Sequence, residues 1–144
     1  MPENNSEIPE MRIIQEAAEK TAQILKNACI ILFGSRSKGN IADTSDWDLL
    51  VIAEDFSSLR WLDRWEFCKP LWQLRLPLDV ICLTPAETLK AVKNGNPGVC
   101  DALTMGSFLT GKRDLFEELS AVLLSSIAKG TISRCAGGWE VFSV

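Results

Sequence analysis

The sequence predicts an α/β or α+β fold in which helices flank a small mixed β-sheet. Three observations lead to this class: short apolar runs rich in β-branched residues, amphipathic helical segments between them, and breaks that contain Gly or Pro. Strand-like runs that alternate with helical ones are typical of a sheet whose faces are covered by helices. The length of 144 residues fits one such domain.

The first half of the chain contains one predicted helix and two predicted strands. Across residues 8–27, apolar side chains recur at helical spacing with Glu and Lys between them, which indicates an amphipathic helix. Cys29–Phe33 is a short apolar run that ends at Gly34, and we predict a buried strand that meets a turn there. Residues 34–46 are rich in Gly, Ser, Asn, Thr and Asp and are predicted as a functional loop, after which Trp47–Ala53 forms the second strand.

The second half contains a third predicted strand and three predicted helices. Leu59–Leu74 is interpreted as one helix that is kinked at Pro70. Leu76–Leu83 is the third strand, and Pro85–Lys93 reads as a helix because proline is favoured at a first helical position. After a break rich in Asn and Gly, a final helix is predicted over Arg113–Ala128.

The folded domain is expected to span residues 8–128, with flexible or weakly structured tails at residues 1–7 and 129–144. The first seven residues are polar and acidic, unlike a signal peptide, which begins basic and then turns apolar. No apolar run approaches the roughly 18 residues that a membrane-spanning helix needs. We therefore expect a cytoplasmic protein with no membrane partner.

The composition restricts the chemistry that the chain can perform. It has no histidine, so the usual general base is missing, and no two of its five cysteines share a C-x-x-C spacing that would suggest zinc. Cys29 and Cys82 fall in strand-like runs and are expected to behave as small hydrophobic residues. The net charge of −4 does not indicate a nucleic-acid partner. Catalysis must therefore rest on carboxylates, lysines, hydroxyls or a metal ion.

Three aspartates stand out at the strands. Asp46 and Asp48 enter the second strand two residues apart, so they point to one face and lie about 6.6 Å apart along the chain. Asp79 interrupts the apolar third strand, where a carboxylate is costly unless it faces a ligand or a partner. If the third strand pairs beside the second, the three carboxylates form one site. Such a site suits magnesium, which binds a few carboxylates and fills its remaining positions with water and phosphate.

The loop after the first strand carries features of a phosphate site. Gly34 allows the backbone to approach a phosphate closely, and Ser35 offers a backbone N–H and a hydroxyl. Arg36 and Lys38 follow and could neutralise phosphate oxygens. Metal ions on a triphosphate, together with a carboxylate that orients an attacking hydroxyl, are the general design for in-line phosphoryl transfer.

The joint pattern resembles the signature of the minimal nucleotidyltransferases in the DNA polymerase β superfamily. The residues that carry the resemblance are the runs Gly34-Ser35-Arg36-Ser37-Lys38-Gly39, Ser45-Asp46-Trp47-Asp48-Leu49-Leu50-Val51 and Leu78-Asp79-Val80-Ile81. The resemblance covers roughly residues 10–125 and implies the polymerase β palm-like nucleotidyltransferase fold. Two departures concern Lys38, where the family often has Arg, and Trp47, which replaces a small or aliphatic residue and is expected to face the core.

The resemblance implies an enzyme that moves a nucleoside monophosphate, expected to be AMP, from an NTP such as ATP to an acceptor hydroxyl and releases pyrophosphate. Mg²⁺ or Mn²⁺ is the implied cofactor. The implied catalytic and metal-binding residues are Asp46, Asp48 and Asp79. The implied nucleotide-binding residues are Gly34, Ser35, Arg36 and Lys38. Similar proteins act as antitoxins beside HEPN-type toxins, so a partner protein could be the acceptor.

Other interpretations stay open at this point. The chain could be a non-catalytic nucleotide-binding antitoxin or interaction module, or it could modify a small molecule such as an antibiotic. Asp46 could serve only as a turn residue or helix cap, and Asp79 could pair with Arg75. Trp61, Trp65 and Trp72 fit a packed helix face, but they could also form a partner surface or a homo-oligomer contact, and the sequence does not fix the oligomeric state.

Overall fold

A computed structural model describes residues 9–34, 46–72, 76–136 and 138–142 of the chain. The helices in these ranges are α1 (Pro9–Ile24), α2 (Arg64–Cys68), α3 (Pro85–Lys93), α4 (Pro97–Met105) and α5 (Arg113–Ala128). The strands are β1 (Cys29–Phe33), β2 (Trp47–Ile52), β3 (Leu78–Leu83), β4 (Ser107–Gly111), β5 (Ile132–Cys135) and β6 (Gly138–Val141). The predicted tail at residues 1–7 lies outside the described residues.

The main sheet has the strand order β3-β2-β1-β4. Strand β1 runs antiparallel to both β2 and β4, whereas β2 and β3 are parallel. The expected mixed sheet flanked by helices is therefore confirmed. This topology brings the end of β1 and the beginnings of β2 and β3 together at one end of the sheet.

The two faces of the sheet belong to two hydrophobic cores, because side chains alternate along each strand. On β2, Trp47 and Leu49 pack in the core that α1 covers. Leu50 and Ile52 pack in the opposite core, which α3, α4 and α5 cover. Trp47 is only 1% exposed, so the structure confirms that it is a core residue.

The prediction of one long helix over Leu59–Leu74 is wrong. Helix α2 covers only Arg64–Cys68, and short 3-10 helices at Trp61–Asp63 and Lys69–Trp72 flank it, whereas residues 73 and 74 lie outside the described residues. Pro70 accounts for the end of α2, because it has no N–H to donate and its ring would clash with the carbonyl of a preceding helical turn. The segment buries Cys68 and Trp72, and Trp72 donates a hydrogen bond of 2.7 Å to Thr21 of α1.

Two elements between residues 94 and 112 were not predicted. Helix α4 is capped by Asn96, whose side chain accepts a hydrogen bond of 3.1 Å from the N–H of Val99, and Pro97 occupies its first position. Strand β4 follows and completes the sheet. Its last residue, Gly111, has a φ of 102° and lies so close to the Ala28 carbonyl that a side chain would overlap it.

The expectation of a weakly structured tail at residues 129–144 is also wrong in its main part. Strands β5 and β6 form an antiparallel hairpin, in which Arg134 pairs with Trp139. Ile132 is buried, and the Trp139 indole donates a hydrogen bond of 2.9 Å to Asp101 of α4. The hairpin is therefore held against the helical layer. The domain limits of 8–128 stay a prediction.

The described cysteines are all free thiols, and all except Cys135 are buried. Burial raises the pKa of both Cys29 and Cys82 to about 12, so these thiols stay protonated near neutral pH. This confirms their interpretation as small hydrophobic residues. Separately, none of the helices in the described ranges is long and apolar enough to span a membrane.

Candidate active site

The strand register brings the predicted carboxylates to one end of the sheet. Asp48 on β2 lies opposite Phe33, the last residue of β1, and on its other side it lies opposite Asp79 of β3. Asp46 stands immediately before β2. The expected pairing of the third strand beside the second is present, and it places Asp48 and Asp79 side by side on neighbouring strands.

The three carboxylates differ in exposure. Asp48 is partly buried, whereas Asp46 and Asp79 are exposed. The premise that Asp79 lies in a buried apolar strand is therefore wrong, because β3 is at the edge of the sheet and its first residues are accessible to solvent. Asp79 is a candidate site residue because it lies directly beside Asp48 in the pairing of β2 with β3. The alternative partner, Arg75, lies outside the described residues.

The electrostatics of Asp48 reflect its two acidic neighbours. Its pKa is raised to about 6, first by burial, then by the charge of Asp79 and then by that of Asp46. The ionised carboxylate is thus disfavoured at this position, because it loses water and faces like charges. A cation placed among the three side chains would reverse both effects.

A metal ion is implied by the chemistry of this cluster, although the described residues do not already enclose one. Within the described ranges, no group of three His, Cys, Asp or Glu side chains is arranged to hold an ion. The carboxylates nevertheless fit Mg²⁺ or Mn²⁺, because they are hard oxygen donors and because their charges act on one another at Asp48. A shared metal site of Asp46, Asp48 and Asp79 stays a prediction.

Gly34 is tied to the carboxylates by a direct steric constraint. Its φ is 83°, a left-handed conformation that favours glycine. A Cβ at this position would overlap Oδ2 of Asp48 and would lie 3.1 Å from its Cγ. The sequence suggested that Gly34 was needed for close approach to phosphate, but the structure adds that the Asp48 carboxylate occupies the space beside it. Ser35, Arg36 and Lys38 lie outside the described residues.

An ion pair between buried Arg64 and half-buried Glu87 was not recognised from the sequence. Arg64 is 6% exposed and donates hydrogen bonds of 2.6 and 3.0 Å to the two carboxylate oxygens of Glu87 and one of 3.1 Å to the Cys82 carbonyl. The hydrogen bond from Arg64 is the largest of the effects that lower the pKa of Glu87. Thr84 and Glu87 also cap α3 reciprocally. The Thr-x-x-Glu pattern of this cap was a signal that could have revealed Glu87.

The comparison with known families decides the classification of the chain. The sequence model of the family described as "Polymerase beta, Nucleotidyltransferase" matches residues 13–97, which is more than half of the chain and contains Gly34 and all three aspartates. The chain belongs to this family. It is thus a nucleotidyltransferase, as the motifs indicated. No curated protein sequence matches it.

Solved structures similar to this nucleotidyltransferase support the fold. A toxin–antitoxin structure with AMP-PNP is 24% identical, with a TM-score of 0.56, and the match covers 86% of this chain and 90% of that one. A mutant of the toxin–antitoxin MntA-HpeT is 23% identical, with the same TM-score and coverage. A candidate nucleotidyltransferase from Sulfolobus solfataricus is 21% identical with a TM-score of 0.53, over 75% of this chain and 86% of that one.

The stability of the metal-free nucleotidyltransferase should depend on pH through the titration of Asp48. Because its folded pKa is raised, the metal-free fold binds a proton more tightly than the unfolded chain, so its contribution to stability is complete below pH 4 and is lost as pH rises through about 6. In EDTA, Asp48→Asn should therefore be more stable than wild type at pH 7.5, by about 1–2 kcal/mol after allowance for solvent screening. The two should converge near pH 4. Urea unfolding at both pH values measures this, and equal stability at pH 7.5 would contradict it.

Proposed function

We propose that the chain transfers AMP from ATP to a hydroxyl group on a partner protein in a reaction that requires Mg²⁺ or Mn²⁺. The observation that carries this proposal is the register of Asp48 with Asp79 beside Gly34, with Asp46 close enough to act on the Asp48 pKa. Three carboxylates beside a glycine turn are suited to binding a metal-complexed triphosphate. The family match covers all of these residues.

Each part of the site would have a separate task in the transfer. The metal, held by Asp46, Asp48 and Asp79, would supply positive charge for the triphosphate. The backbone at Gly34 and Ser35 would bind the β- and γ-phosphates. Arg36 and Lys38 would neutralise further phosphate oxygens, so they would contribute mainly to nucleotide affinity.

The bonds that change are those of an in-line substitution at phosphorus. The acceptor oxygen forms a bond to the α-phosphorus, and the bond from that phosphorus to the oxygen that bridges it to the β-phosphorus breaks. Pyrophosphate leaves with the electron pair of the broken bond. Asp79 takes up the hydroxyl proton, because in this arrangement it is the carboxylate farthest from Gly34 across the sheet.

ATP and a protein partner are favoured by two features of similar structures. One similar toxin–antitoxin structure contains AMP-PNP, an ATP analogue, and another is a mutant of the toxin–antitoxin MntA-HpeT. We therefore propose that this chain also acts as an antitoxin, with a HEPN-type toxin as the acceptor. The free cysteines of the described residues agree with a reducing compartment, so we place the protein in the cytoplasm.

A non-catalytic binding role is the second candidate, because an antitoxin could cover its partner protein without transferring a nucleotide to it. It is disfavoured by the retention of Asp46, Asp48 and Asp79 at the end of the sheet. Carboxylates that repel one another are retained at a cost to stability when they have a function.

The direct test is transfer from ATP labelled at the α-phosphate. With Mg²⁺ and the product of a neighbouring toxin-like gene, label should appear on that protein and pyrophosphate should accumulate in equal amount. EDTA should abolish both signals, and restored Mg²⁺ should recover them. ATP labelled at the γ-phosphate is the control and should leave the acceptor unlabelled. Label transferred from the γ-position would show a kinase reaction and contradict the proposal.

A further inference from the structure

A cleft of about 420 Å³ lies between strand β3 and helix α3. Its walls include Ile81 of β3, Lys90 of α3, Asn94 at the end of that helix, and Trp61. A smaller cleft of about 120 Å³ adjoins it at Trp61 and Ile81. Ile81 follows Asp79 by two residues on the same face of β3, about 6.6 Å along the strand. The larger cleft therefore begins at the next side chain after Asp79 on this face of the strand.

Trp61 forms a fixed aromatic wall of this cleft. The side chain is 61% exposed, yet its ring lies 5.0 Å from the guanidinium carbon of Arg64. Arg64 is itself buried and held by both carboxylate oxygens of Glu87. An aromatic side chain that rests on a fixed cation loses little conformational freedom when it binds a ligand. Trp61 is thus a pre-organised platform that is accessible to solvent.

The cleft lies on the side from which an acceptor must approach. In-line transfer places the attacking oxygen and the leaving pyrophosphate on opposite sides of the α-phosphorus. Across the sheet, Gly34 follows β1, Asp48 is on β2 and Asp79 is on β3. If the β- and γ-phosphates bind at Gly34, the acceptor enters over Asp79, next to the cleft.

The charges around the cleft indicate what kind of acceptor fits it. Glu87 is neutralised by Arg64, and the nearby Arg60 is paired with Asp63 at 2.9 Å. Lys90 is exposed and has no ion pair within the described part of the chain. A polycationic amino sugar would need free acidic groups, and a nucleic acid would need clustered cations. The cleft offers neither, but it does offer apolar walls with one cation.

We infer that this cleft binds a polypeptide segment of the protein acceptor, and this inference rests on the proposed function. An apolar or aromatic side chain of the segment packs on Trp61, and a carboxylate of the segment pairs with Lys90. The hydroxyl that receives the nucleotide lies beside these two anchors and over Asp79. Leu62 and Phe67 are also exposed on the segment that carries Trp61, at 83% and 47%.

The test uses the full chain, Mg²⁺ and ATP labelled at the α-phosphate, with a degenerate peptide library whose central residue is Ser, Thr or Tyr. Wild type should label peptides that carry an apolar or aromatic residue and an acidic residue near the centre. Trp61→Ala should reduce labelling at least tenfold, and Lys90→Glu should change the preferred charge from acidic to basic. Two control variants should behave as wild type: Lys93→Glu, also exposed on α3 but outside this cleft, and Leu124→Ala, exposed on α5.

Parallel reactions with an amino-sugar panel and with RNA identify the other acceptor classes. Labelling of either one in place of the peptides would overturn the inference and the protein acceptor, but it would leave metal-dependent nucleotidyl transfer intact. Equal labelling of peptides by wild type and Trp61→Ala would overturn the role of the platform. If wild type labels no peptide, the inference fails. The melting temperature with and without Mg²⁺ and AMP-PNP then shows whether the proposed function fails as well. If these ligands do not raise the melting temperature, the chain does not bind the nucleotide and the proposed function fails too.

Discussion

Asp48→Asn is expected to reduce nucleotidyl transfer by about 10³-fold or more. Asparagine keeps the shape of the side chain and one oxygen, but it removes the negative charge of Asp48. This is the carboxylate whose pKa is raised by the charges of both Asp79 and Asp46. Loss of about 4 kcal/mol of transition-state stabilisation, which is within the range that a metal ion supplies, corresponds to this factor. Initial rates of label transfer at saturating ATP and Mg²⁺ measure the effect.

The control for this variant is Asp114→Asn, which neutralises an exposed aspartate in the first turn of α5. It changes the net charge equally and should leave the rate within about twofold of wild type, because surface substitutions have small effects. Since Asp48→Asn is expected to stabilise the metal-free protein, loss of activity cannot be ascribed to unfolding. Transfer by Asp48→Asn at a rate near that of wild type would remove this residue from the catalytic site.

Gly34→Ala is expected to destabilise the fold by about 2–5 kcal/mol and to reduce transfer by at least about 100-fold. The left-handed φ of 83° costs an alanine about 1–2 kcal/mol. The new Cβ would also overlap Oδ2 of Asp48, and such overpacking costs about 1–3 kcal/mol. The carboxylate must move, so activity should fall even where the protein stays folded. Urea unfolding and initial rates measure the two effects separately.

Gly130 provides a matched control for the strain of the backbone. Its φ is 77°, and a Cβ there would meet nothing within 4 Å, so Gly130→Ala should show only the cost of the left-handed conformation. In an Asp48→Ala background, Gly34→Ala should cost about as much as Gly130→Ala, because Oδ2 and Cγ of Asp48, the two atoms that the new Cβ would approach most closely, are then absent. An unchanged cost in that background would show that the Asp48 contact does not determine the effect.

The sequence was sufficient for those parts of the site that are set locally. The spacing of Asp46 and Asp48 brings both to the start of β2, where Asp46 stands immediately before the strand, and the apolar run around Asp79 identifies a third strand. The parallel pairing of β3 with β2 confirms the expected neighbourhood. The loop residues Ser35, Arg36 and Lys38 stay predictions from the motif.

The parts that the sequence did not reveal depend on contacts between distant segments. Strand β4 is short and only partly buried, and it is held by pairing with β1, which lies about half the chain away. The β5–β6 hairpin is anchored by the hydrogen bond from Trp139 to Asp101, which no local sequence pattern predicts. The exposure of Asp79 follows from the position of β3 at the sheet edge, and strand order is not encoded in any one segment.

Asp46, Asp48 and Asp79 are proposed to bind a nucleotide through a metal ion. The most direct measurement is the melting temperature of wild type and Asp48→Asn, each with EDTA, Mg²⁺ alone, AMP-PNP alone, and both ligands together. With both ligands at a hundredfold excess over Kd, the free energy of unfolding of wild type should rise by about 2.7 kcal/mol and its melting temperature should rise accordingly. Either ligand alone should have a much smaller effect. Asp48→Asn should start from a higher melting temperature at pH 7.5 in EDTA and gain little from any addition. Equal gains in the two proteins, or a gain in wild type from AMP-PNP that is the same in EDTA as in Mg²⁺, would contradict a metal-dependent nucleotide site at these carboxylates.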